Sequence, residues 1–131
     1  MLPRGDELAP KGEDRCNIWQ GTFPARNTVE DGNAATAPVG ACQPNGYVLY
    51  STSGNVWGWC GDWSSTAFHI DGSRSGPEGR PTGGSEVIRD GSYLCHESYR
   101  YRVAARSQDT LDSSTGNMGS GMRAPSEASA R

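Results

Sequence analysis

Aliphatic residues are scarce in this 131-residue chain, which has five Leu, three Ile, six Val and two Phe. That is fewer than a domain of this size normally draws on for a self-sufficient core. No apolar run approaches the roughly 18 residues that span a bilayer, and the opening "MLPRGDELAPKGEDR" lacks a signal-peptide core. A concentrated basic footprint is also missing. The formal charge is −3, the pI is near 5.3, and the arginines are scattered apart from Arg100, Arg102 and Arg106. This excludes nucleic acid and an anionic membrane as partners, because both need clustered cations. None of Cys16, Cys42, Cys60 and Cys95 sits in a C-x-x-C pair, which argues against zinc and for reduced thiols. The chain reads as soluble and cytoplasmic, and as one domain or part of one.

What is present argues against disorder. Four Trp and five Tyr with so small a net charge are unlike a solvated chain, which has few aromatics and a large charge imbalance. Eighteen Gly and eight Pro interrupt almost every apolar run, so loops should dominate and long helices be absent. Strands are predicted at "YVLYS" (47–51), "NVWGWCGDW" (55–63), "SEVIRDGSYLC" (85–95) and "YRYRVAARS" (99–107). In the last, Tyr99, Tyr101 and Val103 alternate with Arg100, Arg102 and Ala104, the period of a half-buried strand. "DGSRSGPEGRPTGG" (71–84) reads as a mobile surface loop, and residues 124–131 as a disordered tail after a domain spanning 1–123.

The stretches "GDEL", "CNIWQGTFP", "NTVEDG", "TAPV", "PNGYVLY", "GNVWGW", "GSYLCHESY", "RYRVAARS" and "DSSTGN" follow one another in this order. Together, from about residue 2 to about residue 119, they resemble the formylglycine-generating enzyme, or sulfatase-modifying factor, family. Ordered motifs of this length are far more specific than a lone short pattern. The resemblance implies an irregular α+β fold with little regular secondary structure, related to C-type lectins and stabilised by calcium. It also implies copper-dependent oxidation, by dioxygen, of a cysteine in a sulfatase polypeptide carrying a Cys-x-Pro-x-Arg motif. Family chains are roughly twice as long, so the resemblance places this chain in the C-terminal half, with an N-terminal half expected elsewhere, in another chain.

By the resemblance, Cys95 is one of two cysteines whose thiolates hold Cu(I), a soft ion suited to sulfur. The second family cysteine directly follows the Tyr of "CHxSY". Here Tyr99 is followed at once by "RYRVAARS", two residues short, and the second ligand is among those missing. If residues 99–107 form a strand, a two-residue deletion leaves every later side chain on its original face, so the strand would survive while the metal site would not. The alternative for Cys95 is a buried, inert thiol.

The resemblance further places Trp57, Ser92, Ser114 and Asn117 in a substrate cleft. It places the first calcium site on the Asn17 side chain, the Ile18 carbonyl, Asp31 and the Asn33 carbonyl, and hard oxygen donors from two loops suit Ca²⁺. The family's second calcium site uses an Asn and a Glu side chain with two carbonyls. Those side-chain positions are Ser51 and Gly58 here, leaving the carbonyls of Gly54 and Val56, so that site is expected to be lost. Asp90 stands where the family has a Gly, a substitution that demands unusual backbone angles of a residue with a side chain. Three readings follow: a sulfatase-modifying oxidase that is truncated and impaired, a non-catalytic calcium-stabilised peptide-binding module, or a degenerate product without a stable fold.

Overall fold

The computed structural model describes residues 16–67, 75, 79–95 and 101–120. The 124–131 tail and most of the 71–84 loop lie outside the described residues, as do His96, Tyr99 and Arg100. Strands and loops make up the described residues, which contain no α-helix, so the helical part of the α+β expectation has no counterpart there. Six strands form: β1 (Gly21–Thr22), β2 (Arg26–Asn27), β3 (Trp57–Trp63), β4 (Glu86–Arg89), β5 (Ser107–Asp109) and β6 (Met118–Gly119). The first two make a small antiparallel pair. The others form a sheet in the order β5-β4-β3-β6, in which β6 runs parallel to β3.

The two expected strands richest in apolar alternation at their centres are the two that form the sheet's middle. In β3, Gly58 pairs with Arg89 and Trp59 with Ile88, and the register shifts before Trp63 meets Glu86. This irregularity within "WGWCGDW" absorbs extra residues of β3 and increases its local twist. β4 ends at Arg89 because the next two residues adopt left-handed backbone, Asp90 at φ 80° and Gly91 at φ 68°. Asp90 therefore holds the unusual angle expected at that position. Gly91 is required: a Cβ there would come within 2.6 Å of the Tyr101 ring.

Two expected strands do not form. Residues 47–51 make a turn, because the Asn45 side-chain oxygen accepts the Tyr47 and Leu49 N–H groups while the Val48 N–H bonds the Asn45 carbonyl. A local side chain thereby outcompetes a ladder for the backbone donors, and Val48 and Ser51 take φ values of 61° and 48°. Over 101–106 the chain also turns, closed by the Ala105 N–H to the Arg102 carbonyl, and strand geometry begins only at Ser107. The face-preserving argument for a deletion in a strand therefore does not apply to the described part of this segment.

The core is small. Cys16, Ile18 and Tyr101 form a buried cluster on which Cys95 packs, and Trp57 and Ile88 are buried on the sheet. Tyr101, 1% exposed, replaces several aliphatic residues in a chain short of them. The segment after Cys16 is joined to the cluster by the Trp19 N–H, which reaches the Cys95 carbonyl at 3.4 Å.

Candidate functional site

Two groups of predicted site residues flank this cluster, one of oxygens and one around a sulfur. On the oxygen side, Asn17 is 2% exposed. Its Nδ2 donates to the Ala35 carbonyl at 2.7 Å and to Asn55 Oδ1 at 3.1 Å. Asn55 is itself oriented by Ala37, whose N–H it accepts at 2.8 Å and whose carbonyl its Nδ2 bonds at 3.1 Å. Flipping the Asn17 amide would set oxygen against two oxygens, so the hydrogen bonds fix which atom is which. The Asn17 Oδ1 then stands buried with no hydrogen-bond partner, an expensive state for a polar atom unless something electropositive meets it.

Asp31 is brought to the same place by its backbone contacts. Its Oδ2 accepts the Ile18 N–H at 3.3 Å, and its Oδ1 accepts the Asn33 N–H at 2.9 Å in a two-residue side-chain turn. The Asp31 N–H donates to Gln20 Oε1 at 2.7 Å, which holds the turn against the first strand pair. Ile18, Asp31 and Asn33, three of the four residues expected together, are thus joined by hydrogen bonds, and Asn17 adjoins them in the chain. An amide oxygen without a hydrogen bond and a carboxylate held by backbone N–H groups are donors of the hard type that calcium takes. Sequence reasoning missed Asn55, the side chain that holds this loop in place. The signal was the "GN" of "SGNVWGW": Asn tolerates the left-handed φ of 63° that Asn55 adopts, and Gly54 is needed because a Cβ there would run into the Asn17 carbonyl.

On the sulfur side, Ser92 is fully buried. Its Oγ accepts the Leu94 N–H at 3.3 Å and Asn117 Nδ2 at 3.0 Å, which occupies both lone pairs. The hydroxyl hydrogen is left for Cys95 Sγ, 3.6 Å away. Cys95 is half-buried; the Tyr101 hydroxyl lies between the carbonyls of Cys95 and Ser92, 2.9 Å from the latter. Asn117 also accepts the Trp57 N–H on its carbonyl at 2.8 Å, placing the buried Trp57 at the start of β3 beside the group. Ser114 is exposed, and among the described residues no hydrogen bond joins it to Ser92, Cys95 or Asn117. The sequence singled out four of these residues; Tyr101 it assigned to a strand face.

All four cysteines are thiols. Among the described residues no group of three or more His, Cys, Asp and Glu could hold a metal ion. Of the two thiolates that the family resemblance implies for copper, the sequence offers one, Cys95, and has no cysteine directly after Tyr99. The residues present do not fit that site, and the chemistry on hand is that of one accessible thiol beside a hydroxyl donor. At the other end of the sheet, a cavity of about 440 Å³ is lined by Asp62, Trp63, Arg106 and Gln108 among others. None of the predicted site residues borders it.

Comparison with known proteins places these features. Residues 2–124 match the family model described as the sulfatase-modifying factor enzyme 1-like domain. The chain is similar to the formylglycine-generating enzyme of Streptomyces coelicolor, 57% identical over 117 residues, which cover 88% of this chain and 37% of that protein. The Bos taurus formylglycine-generating enzyme is 52% identical over 121 residues, with 91% and 32% covered. The Mus musculus protein named inactive C-alpha-formylglycine-generating enzyme 2 is 36% identical over 122 residues, with 91% and 35% covered. The chain thus spans about a third of the length of these relatives. Among solved structures, Treponema denticola variable protein 1 superposes with a TM-score of 0.55 at 25% identity, over 68% of this chain and 32% of that one.

Proposed function

This chain belongs to the sulfatase-modifying factor enzyme 1-like family, and from that premise we propose that it is the cysteine-bearing C-terminal part of a formylglycine-generating-type protein, impaired in the oxidation of a sulfatase cysteine. The observation that carries the reading is the environment of Cys95. Ser92, Asn117 and Trp57 are organised around one thiol, while the position for a second thiolate is missing from the sequence. In the family reading, copper supplies the redox chemistry with dioxygen. The part left to this chain is to present the Cys95 sulfur, orient it through the Ser92 hydroxyl and offer a polar wall to an extended peptide. A second oxygen-rich element, Asn17, Ile18, Asp31 and Asn33, would hold calcium and stabilise the fold, supported by the orphaned Asn17 oxygen.

The test is aldehyde formation. With copper, dioxygen and a peptide bearing Cys-x-Pro-x-Arg, the unmodified chain should give no formylglycine by mass spectrometry. Inserting Cys plus one residue between Tyr99 and Arg100 should raise Cu(I) affinity more than rate, because turnover also needs the substrate thiol positioned. Copper-dependent aldehyde formation by the unmodified chain, lost on Cys95→Ser, would overturn the impairment. The same Ser92–Asn117 pairing also suits a second reading, a calcium-stabilised lectin-like module that binds peptide without turnover. That reading requires the labelled peptide to bind equally well to the Cys95→Ser variant.

A further inference from the structure

The cavity of about 440 Å³ at the far end of the sheet is lined by charges of opposite sign that arise on either side of β4. Asp62 and Trp63 reach it from the end of β3, Val87 from β4, and Arg106 and Gln108 from the edge strand β5 and the residue before it. In the order β5-β4-β3-β6, β3 and β5 flank β4, so the carboxylate and the guanidinium belong to strands about 10 Å apart. Val87 pairs with Gln108, which sets these two side chains on one face.

Neither charge is spent inside the protein. Among the described residues no ion pair joins Asp62 to Arg106 or to another cation, and no hydrogen bond reaches the Asp62 carboxylate. Arg106 donates from Nη1 to the nearby Ala104 carbonyl at 3.3 Å, which leaves most of its five N–H donors for other partners. The Gln108 Oε1 accepts the Ser64 hydroxyl, so the carboxamide keeps its two N–H donors. Acceptors therefore come from β3 and donors from β5. Two glycines hold the acceptor side: a Cβ at Gly79 would overlap the Asp62 carboxylate, and one at Gly83 would come within 2.8 Å of the Trp63 Cβ. Without side chains there, the 79–84 backbone packs directly on both residues. The Trp63 ring and Val87 supply the apolar part of the lining.

We propose that this cavity binds a small zwitterion of the α-amino-acid type, its ammonium on Asp62, its carboxylate on Arg106 and Gln108, and its apolar side chain against Trp63 and Val87. A guanidinium matches a carboxylate in planar fork geometry, and an ammonium, with three donors and no acceptor, is what an unbonded carboxylate takes. A neutral sugar would leave both charges without a counter-charge, and a simple anion or cation would satisfy only one of them. The volume falls in the lower part of the range for small-molecule sites. This binding uses neither Cys95 nor the Asn17–Asp31 oxygens, so it stands or falls separately from the oxidative and calcium readings.

Amide NMR of the full 131-residue chain, titrated with L-leucine and L-phenylalanine at millimolar concentrations, tests it. Both should give saturable shifts at the amides of residues 62–66 and 106–108 and at the Trp63 indole, leaving those of 92–95 in place. N-acetyl-L-leucine, which lacks the ammonium, and L-leucinamide, which lacks the carboxylate, should bind about tenfold more weakly, because hydrogen bonds between charged groups are among the stronger ones. Asp62→Asn should bring L-leucine down to the affinity of N-acetyl-L-leucine without changing the latter. Arg106→Gln should do the same with respect to L-leucinamide. Misfolding cannot produce this pattern, since one ligand of each pair is unaffected. No saturable shift with either amino acid, shifts centred on 92–95, or equal binding of the amino acid and its singly charged analogues by the unmodified chain would each overturn the proposal.

Discussion

The oxygen side and the sulfur side of the Cys16–Ile18–Tyr101 cluster are built with unequal completeness. Around Asn17, three side-chain hydrogen bonds within the Asn17–Asn55–Ala37 group fix two buried amides, and a single amide oxygen is left without a hydrogen bond. Around Cys95, one hydroxyl and one amide serve a single thiol, and what is missing is a residue of the protein itself. The first side draws on residues that are all present, whereas a second thiolate beside Cys95 could be had only by changing the sequence. Loss of one side would therefore not entail loss of the other, because hydrogen-bonded loops and a soft-metal site make separate demands.

Asn55→Ala is the most damaging way to break that contrast. It removes one of the two acceptors of the Asn17 Nδ2, leaves the Ala37 N–H and carbonyl without their side-chain partner, and places Ala at a φ of 63°. Each buried polar group left unpaired costs roughly 1–3 kcal/mol, so a loss of about 4 kcal/mol is expected in denaturant unfolding. A loss below about 1 kcal/mol would mean that the amide pair is ornamental and the two sides are alike.

Asp31→Ala comes next. A ligand bound only by the folded chain stabilises it by about 2.7 kcal/mol at a hundredfold excess over its dissociation constant. In thermal melts with and without calcium, the variant should lose the calcium-dependent rise that the unmodified chain shows. An unchanged calcium response would show that the Asn17 oxygen is not a ligand.

How much of this was legible in the sequence differs between the two sides for a physical reason. β3 and β4 could be read because Trp57, Trp59, Val87 and Ile88 carry the apolar pattern of paired strands. The 47–51 segment carried a similar pattern and was misread. Its geometry is decided by one Asn side chain bonding two N–H groups, which no periodicity reports. Tyr47 and Val48 are 86% and 71% exposed, the opposite of what their hydrophobicity suggests. The residues of the candidate sites were legible through motif resemblance. Their hydrogen-bonded partners were not: Asn55 and Tyr101 are contributed by segments 38 and 9 residues away along the chain from the groups they serve. Asp90 was noticed only as a departure; that its carboxylate fills the space over Gly58 from just past the end of β4 is visible only in the fold.

Tyr101→Phe probes the sulfur side with a smaller effect. It removes the hydroxyl from between the Ser92 and Cys95 carbonyls but keeps the ring that Gly91 accommodates. A loss of about 1–2 kcal/mol is expected, together with faster alkylation of Cys95 as the Ser92–Cys95 turn loosens. If Cys95 reactivity stays constant while stability falls, Tyr101 supports the core and does not position the thiol.

The smallest expected effect concerns Cys60, and it sharpens the comparison by supplying a thiol outside both sides. Burial in β3 pushes its pKa above the ordinary 9.0; Arg89 opposes the shift, and Asp90 and Asp62 reinforce it. A thiol whose folded pKa is raised contributes stability that is fully present below its unfolded pKa and is lost as pH rises through the folded value. Iodoacetamide modification of Cys60 should therefore rise with pH through a midpoint above 9.0, since the thiolate is the nucleophile. Asp90→Gly removes one of the charges that raise this midpoint and should lower it. A midpoint unchanged in Asp90→Gly would mean that burial in the strand, and not the neighbouring carboxylate, sets the Cys60 reactivity.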